Sequence, residues 1–377
     1  MELYEVAIIG GGLAGLTNAI LLAKAGKKVI LFEKNQYPFH RVCGEYISNE
    51  TLPFLESLGV DIIQQKSISL TQFRLTSPKG TTLEMPLDLG GFGISRYELD
   101  FFLMELAKKN GVTILEKTNI TSIKEKNNTF FLTSNAHQKY QANILIAAYG
   151  KRANLDQYLR RDFFYKRSAY IGVKYHLKVN HLKYEHPKEM IALHNFSYGY
   201  GGFSRIEDDK YCFCYLSTRE NLKKSGDILS LEKNILSKNP YIKDIFENSY
   251  FLFDKPKVIN EITFAPKTLF EGNILMCGDT AGMITPLCGN GMAMAIHSAK
   301  ILSENIILHL DKKISFEQCK QNYLSEWNKN FKQRLKIGRN IQRFFGSPFL
   351  SEVLVKSANL FPFIKKILVK QSHGKVF

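Results

Sequence analysis

Near the amino terminus four apolar residues, Val6-Ala7-Ile8-Ile9, stop abruptly at a run of glycines. Small and apolar residues then recur without strand-like alternation. The pattern predicts a buried strand over 6–9, a turn over 10–15, a small-residue helix over 16–25 closed by Gly26, and a second buried strand over 29–32. Together these make a βαβ unit with parallel strands. Further on, a helix is predicted over 96–109, ended by Gly111, and a strand over 112–115. Two β-rich runs, 120–126 and 129–134, flank Asn127-Asn128 as a hairpin turn. An apolar strand over 144–148 then delivers the chain to the edge of the same domain.

From about 168 to 263 the runs become aromatic and β-branched, as in "YIGVKYHLKV" and "KYCFCYLST". They predict a mixed or antiparallel sheet. The apolar run before Gly278 and a long helix over 291–310 return to the first style. The order α/β, β, α/β predicts a discontinuous nucleotide-binding domain (1–167 and 264–310). A β-sheet substrate domain (168–263) is inserted in it, and a basic helical region (311–377) follows.

Length and composition fit this picture. The 377 residues, 45% apolar and 23% charged, suit one large or two closely joined domains. No signal-peptide pattern precedes the first strand, and no window approaches the ~20 apolar residues that span a bilayer. Six scattered cysteines include Cys212-Phe-Cys214, whose one-residue spacing within a strand-like run is not that of a zinc knuckle. Buried thiols in a reduced cytoplasmic compartment, with no metal constellation, are the expectation. Charge adds something new. The last 49 residues hold eleven Lys and Arg against Glu352 alone, ten of the chain's net +16. This is either a solvated surface or a patch for an anionic partner.

Gly10-Gly11-Gly12-Leu13-Ala14-Gly15 has the spacing G-x-G-x-x-G, lies between a predicted strand and helix, and is followed by a strand ending at Glu33. In that context Gly10 permits the turn, Gly12 lets a pyrophosphate approach, and Gly15 lets helix and strand pack. The helix start at Leu13-Ala14 offers N–H groups to phosphates. Glu33, beside Lys34, accepts the adenosine ribose hydroxyls. A dinucleotide is predicted.

A second segment decides which one. In "GDTAGMITPLCGNGMAMAIHSAK", Gly278, Asp279, Ala281, Pro286, Gly289 and Gly291 match G-D-x-A-x-x-x-x-P-x-x-G-x-G. This resembles the second flavin fingerprint of the aromatic-hydroxylase and geranylgeranyl-reductase superfamily of FAD oxidoreductases. "HRVCGEYIS" resembles a cofactor segment of the reductase branch, and "GISRYELDFFL" resembles the helix start whose Arg contacts the cofactor. The resemblance implies a Rossmann-like α/β FAD-binding fold with a mixed β-sheet substrate domain. It places FAD against Arg41 and Arg96, Cys43, Gly44 and Glu45 beside the ring, the ribityl chain on Asp279, and the flavin carbonyl edge at Asn290, Gly291 and Met292.

Cys43, Tyr149, His194, Tyr198, Tyr200 and Arg205 are candidate pocket side chains, with Cys43 and Tyr200 as the catalytic candidates. The aromatic-x-Trp-x-Phe-Pro motif of prenyl reductases is broken here, with Gly202 for Trp and Ser204-Arg205 for Phe-Pro. Hydroxylase relatives carry Asp-Gly where this chain has Tyr149-Gly150. The expected function is an FAD-dependent reductase or dehydrogenase that transfers hydride at flavin N5, with a hydrophobic unsaturated or aromatic substrate. The alternatives are hydroxylation through a flavin hydroperoxide and a non-catalytic FAD-binding partner. NAD(P)H or another donor would supply electrons, although no second glycine motif marks its site. An acyl carrier protein bearing the substrate and the inner membrane face are the anionic partners considered for the basic region. Nucleic acid is not expected.

Overall fold

The computed structural model describes residues 1–62, 66–166, 168–285, 290–345, 347–360 and 374–377. Two sheets organise them. The first runs Phe270–Glu271, Ile274–Met276, Lys139–Ala147, Leu3–Ile9, Val29–Phe32, Thr113–Leu115. Leu3–Ile9 pairs in parallel with both of its neighbours, Ile9 standing beside Phe32 and Ala147. Such a strand faces protein on both sides, and Val6, Ala7 and Ile8 are fully buried. The hairpin Ile120–Lys126 and Thr129–Ser134 joins through Lys139–Ala147. Its turn residues Asn127 and Asn128 both have positive φ (50° and 57°), as a tight hairpin requires. The strand that carries the chain to Tyr149-Gly150 is interior to the sheet. It pairs with Leu3–Ile9, with Ile274–Met276 and with the hairpin.

Helix Leu13–Lys24 packs between this sheet and the long helix Gly291–Leu310. Close approach here depends on missing side chains. A Cβ at Gly15 would run into the Gly10 carbonyl oxygen, and one at Gly278 would lie 2.8 Å from the Ala14 methyl carbon. Gly10 itself has φ +107°, and a Cβ there would meet the Ala148 oxygen at 2.5 Å.

The second sheet is larger than the aromatic run predicted. Its order is Ser249–Phe251, Tyr170–Val179, Tyr211–Thr218, Gly199–Arg205, Met190–Phe196, Ile68–Thr76, Thr82–Gly93, Tyr46–Ser48, with Lys257–Ile262 also on Tyr170–Val179. Three of these strands come from 46–93, upstream of the inserted segment. Met190–Phe196 joins Ile68–Thr76 in parallel and so splices the two stretches into one sheet. Pro86 and Gly90-Gly91 disguise the strand Thr82–Gly93. Pro86 is tolerated because it sits beside the register shift between Leu70 and Gln72.

Alternation gives this sheet two faces. Val173, Tyr175, Phe213 and Tyr215 point to one side, where Leu231, Leu236, Ile242 and Ile245 of short helices cover them. The Tyr175 and Tyr215 hydroxyls both donate to Glu232 there, at 2.9 and 2.8 Å. The other face looks toward the first sheet. Helices Gln333–Phe345 and Pro348–Leu360 close its far end, with Val355 and Ala358 buried against Leu75 and Leu83.

Gly15→Ala should destabilise the protein by about 1–3 kcal/mol, the usual effect of overpacking. A thermal unfolding curve unchanged by the substitution would contradict the packing described.

Candidate functional site

A single cavity of about 1030 Å³ runs from the glycine turn of the first sheet to the inner face of the second. Among the predicted residues, Gly10, Gly12, Leu13, Ala14, Glu33 and Lys34 line its first part. Arg41, Cys43, Gly44, Arg96, Asp279, Gly291 and Met292 line the middle. Gly15 and Gly278 lie behind the wall and hold its backbones together. Asn290 is fully buried, and Pro286 and Gly289 lie outside the described residues.

The turn is prepared for an anion. The N-terminus of Leu13–Lys24 points N–H groups into the cavity from Gly12 onward. A Cβ on Gly12 would stand 3.6 Å from the Arg96 guanidinium and 4.0 Å from that of Arg41. Both arginines are anchored by one carboxylate. Arg96 grips Asp100 through two bonds of 2.7 Å, and Arg41 Nε reaches the same Asp100 at 2.8 Å. Burial disfavours the Arg96 charge, but Asp100 more than offsets this and keeps it cationic.

Glu33 is already engaged. Its Oε2 accepts from Gly11 N (2.9 Å) and Arg41 (3.2 Å), and its Oε1 from the backbone and side-chain nitrogens of Asn35. A ribose hydroxyl at Glu33 must displace one of these donors, and the Arg41 and Asn35 side chains are the movable ones. At the other motif, both side-chain polar atoms of Asn290 are buried and have no hydrogen-bond partner among the described residues. Orphaned amide groups are rare in interiors and fit a polar group arriving beside the helix start at Gly291. Glycine turn, paired cations and orphaned amide together fit a flavin dinucleotide.

The far wall is apolar. Leu75, Met85, Leu193, Leu216, Ile262 and Met283 line it. Register explains the selection. Leu193 lies opposite Gly202, and Gly202 opposite Cys214, on adjoining strands with one shared face. Of the six candidate pocket side chains, Cys43, Tyr149 and Tyr200 line the cavity. Tyr200 is 3% exposed, and its hydroxyl donates to Gln342 Oε1 at 3.2 Å. His194, one residue from Leu193, falls on the opposite face. There it meets Thr76 Oγ1 at 2.9 Å and stacks on Tyr241. Tyr198 is an exposed turn residue, and Arg205 pairs with Asp209.

Tyr149 does not leave its position empty of charge. Its hydroxyl donates to Asp156 at 2.8 Å, and Asp156 pairs with Arg161 at 3.0 Å, both of them buried. Burial and then Asp156 push the Tyr149 hydroxyl above its ordinary range, so it remains a neutral donor. The turn is tied to the second motif by Thr280, whose Oγ1 accepts from Gly150 N at 2.8 Å. Lys267 bridges the carbonyls of Lys151 and Asp279, at 2.7 Å each. Burial lowers this ammonium to about 8.

One group was not foreseen in its role. Glu45, adjoining Cys43-Gly44, is fully buried with φ 57°. Its carboxylate takes the Arg96 N–H (2.8 Å), the Lys174 ammonium, and His176 Nε2 (2.6 Å). Burial alone would raise this carboxyl, but Lys174 and then His176 hold it down to about 2. Nearby His40 lines the cavity, stacked on Tyr97. Burial first, then His176 and Lys174, lower it to about 4. The signal was present in "YIGVKYHLKV". Two polar residues at i and i+2, Lys174 and His176, lie on one face of an otherwise apolar strand. Against the expectation of no metal constellation, the donor atoms of Glu45, His176 and Cys212 lie within 4.8 Å of one another. The Lys174 ammonium on Glu45 already supplies a cation at that spot.

Comparisons with known proteins agree with this geometry. A family described as FAD binding domain matches residues 3–317. The chain is 24% identical over 354 residues to digeranylgeranylglycerophospholipid reductase of Methanococcus vannielii, covering 88% of this chain and 83% of that one. It is 49% identical over only 57 residues to a 1H-pyrrole-2-carbonyl-[peptidyl-carrier protein] chlorinase of Pseudomonas fluorescens, 15% of this chain and 12% of that one. Its fold is similar to that of the flavin-dependent brominase Bmp2, with a TM-score of 0.81 at 16% identity, covering 98% of this chain and 93% of that one.

Glu45→Gln leaves Lys174 buried without its counter-charge and should cost about 3–5 kcal/mol. The pH dependence has a definite sign. A carboxyl held at about 2 rather than its ordinary 4.5 stabilises the fold above pH 4.5, and that stability is lost as pH falls toward 2. The gap between wild type and Glu45→Gln in urea unfolding should therefore shrink across that window. A constant gap would contradict the assignment.

Proposed function

The chain belongs to the FAD binding domain family and is an FAD-dependent oxidoreductase, and within that class we propose that it is a reductase or dehydrogenase of an apolar unsaturated or aromatic compound. The observation that carries the reading is the continuity of the cavity from the cofactor motifs to a wall of aliphatic side chains. When bound, FAD supplies the two-electron exchange with substrate at its N5 atom. The residues do the rest. Gly12 and the helix start behind it, with Arg41 and Arg96, would hold the pyrophosphate. Asp279 would take the ribityl hydroxyls. The N–H groups at Gly291 and Met292 would offer donors to the flavin carbonyl edge, which gains negative charge on reduction. Leu75, Leu193, Leu216 and Met283 exclude water and orient the substrate. Cys43 and Tyr200 bring a thiol and a hydroxyl to the same cavity, and we assign proton delivery to this pair.

Tyr149 supports ranking hydroxylation second. Its hydroxyl is committed to the buried Asp156, and no carboxylate occupies that position. The 24% identity to digeranylgeranylglycerophospholipid reductase is consistent with reduction, although Gly202 breaks the aromatic-x-Trp-x-Phe-Pro motif. The short similarity to a chlorinase named for a carrier-bound pyrrole is consistent with a carrier-tethered substrate.

Leu193→Asn places an amide on the apolar wall. It should lower kcat/KM for an apolar substrate about tenfold, or ~1.4 kcal/mol, and leave FAD content unchanged. The reaction type is read by mixing reduced enzyme with oxygen and substrate. Peroxide release without oxygen in the product is expected, and an oxygenated product would establish the hydroxylase reading instead.

A further inference from the structure

The helix Pro348–Leu360 has two unlike faces. Ser351, Val355 and Ala358 are almost completely buried. Val355 and Ala358 pack in one cluster with Leu75, Met85, Leu193, Tyr200 and Met283, side chains that line the apolar end of the cavity. The opposite face is exposed although it is apolar. Phe349 and Leu360 are each 74% exposed and Val353 44%. At ~100° per residue these three fall within about 40° of arc, roughly opposite the buried three. Large apolar side chains in such a row are uncommon on a surface that meets only water.

Charge narrows the choice of what covers them. Lys356 lies on the border of the row, its side chain 63% exposed. The preceding segment adds exposed Lys332 and Lys336, and from Lys329 to Leu360 seven cations face Glu352 as the only acid. An apolar stripe at the centre with lysines around it is the pattern of a helix lying in a membrane interface, where apolar side chains enter and lysines reach headgroups. Among the described residues no helix is long and apolar enough to cross a membrane, so the contact is peripheral.

We propose that the outer face of Pro348–Leu360 docks the protein on an anionic lipid bilayer and so sets the apolar end of the cavity against the source of its substrate. The docking stands on this surface alone, and only the entry of substrate rests on the function proposed above. One helix packs behind the apolar wall of the cavity and presents the membrane contact, so a bilayer-dissolved compound has a short path past it.

The test is co-sedimentation of the full-length holoenzyme with vesicles of phosphatidylcholine alone or mixed with phosphatidylglycerol. The expected result is at least tenfold stronger partition onto the anionic vesicles, declining as salt is raised. The variant F349S/V353S/L360S changes only exposed positions. It should lose at least tenfold in partition while keeping its FAD and its turnover of detergent-dispersed substrate. K332E/K336E should weaken anionic binding with the apolar row intact. Absence of vesicle binding at low salt, equal binding to neutral vesicles, or undiminished binding of the triple variant would overturn the proposal. Capture by an acidic acyl carrier protein with no vesicle binding would overturn it in favour of a protein partner. Turnover in detergent reports on the reaction and partition reports on the surface, so the failure of either is told apart from the other.

Discussion

A carboxylate buried away from water is tolerable only when its charge is met, and Glu45 is met three times over, by Lys174, His176 and the Arg96 amide. The three partners come from two structural units. Arg96 starts the helix whose Asp100 anchors the phosphate-facing arginines, whereas Lys174 and His176 stand on the second sheet. The same carboxylate thus fixes the cofactor segment, the cation pair and the apolar wall relative to one another. With Glu45 held at positive φ, Cys43 and Gly44 face the cavity. A cavity shared between two sheets needs such a clamp, because the aliphatic side chains that line it contribute no directional contacts of their own.

The other constraint is close approach of backbone. Gly10, Gly15 and Gly278 let the first strand, the first helix and the second motif converge on one point without side chains between them. Fixed dipoles and N–H groups are thereby gathered where charge has to be held. Tyr149, Thr280 and Lys267 then stitch the end of strand Lys139–Ala147 to that point through hydrogen bonds, without adding a free charge to the cavity.

Much of the nucleotide-binding half was legible because its signals are local. Runs of buried apolar residues, glycines at fixed spacing and Asn127-Asn128 each act within a few positions of themselves. The strands Val29–Phe32, Ile120–Lys126 and Thr129–Ser134 and the helix Gly291–Leu310 appear with the bounds their sequence suggests. What was not legible depends on long-range pairing. Nothing in 46–93 announces that three of its strands continue a sheet formed mainly after 168, and Pro86 argues locally against one of them. Glu45 finds Lys174 across 129 positions, a distance over which periodicity carries no information. Alternation alone could not place His194, for a similar reason. It divides a strand's side chains into two sets, and only the neighbouring strands decide that Leu193 rather than His194 faces the cavity.

The central claim is that cofactor and apolar substrate share one continuous cavity. It is tested most directly by titrating the oxidised, FAD-loaded protein with a non-reacting apolar aromatic ligand and recording the visible flavin spectrum. A saturable shift of the flavin bands at one ligand per protein is the predicted result. Ligand binding that leaves the flavin spectrum untouched would contradict the account.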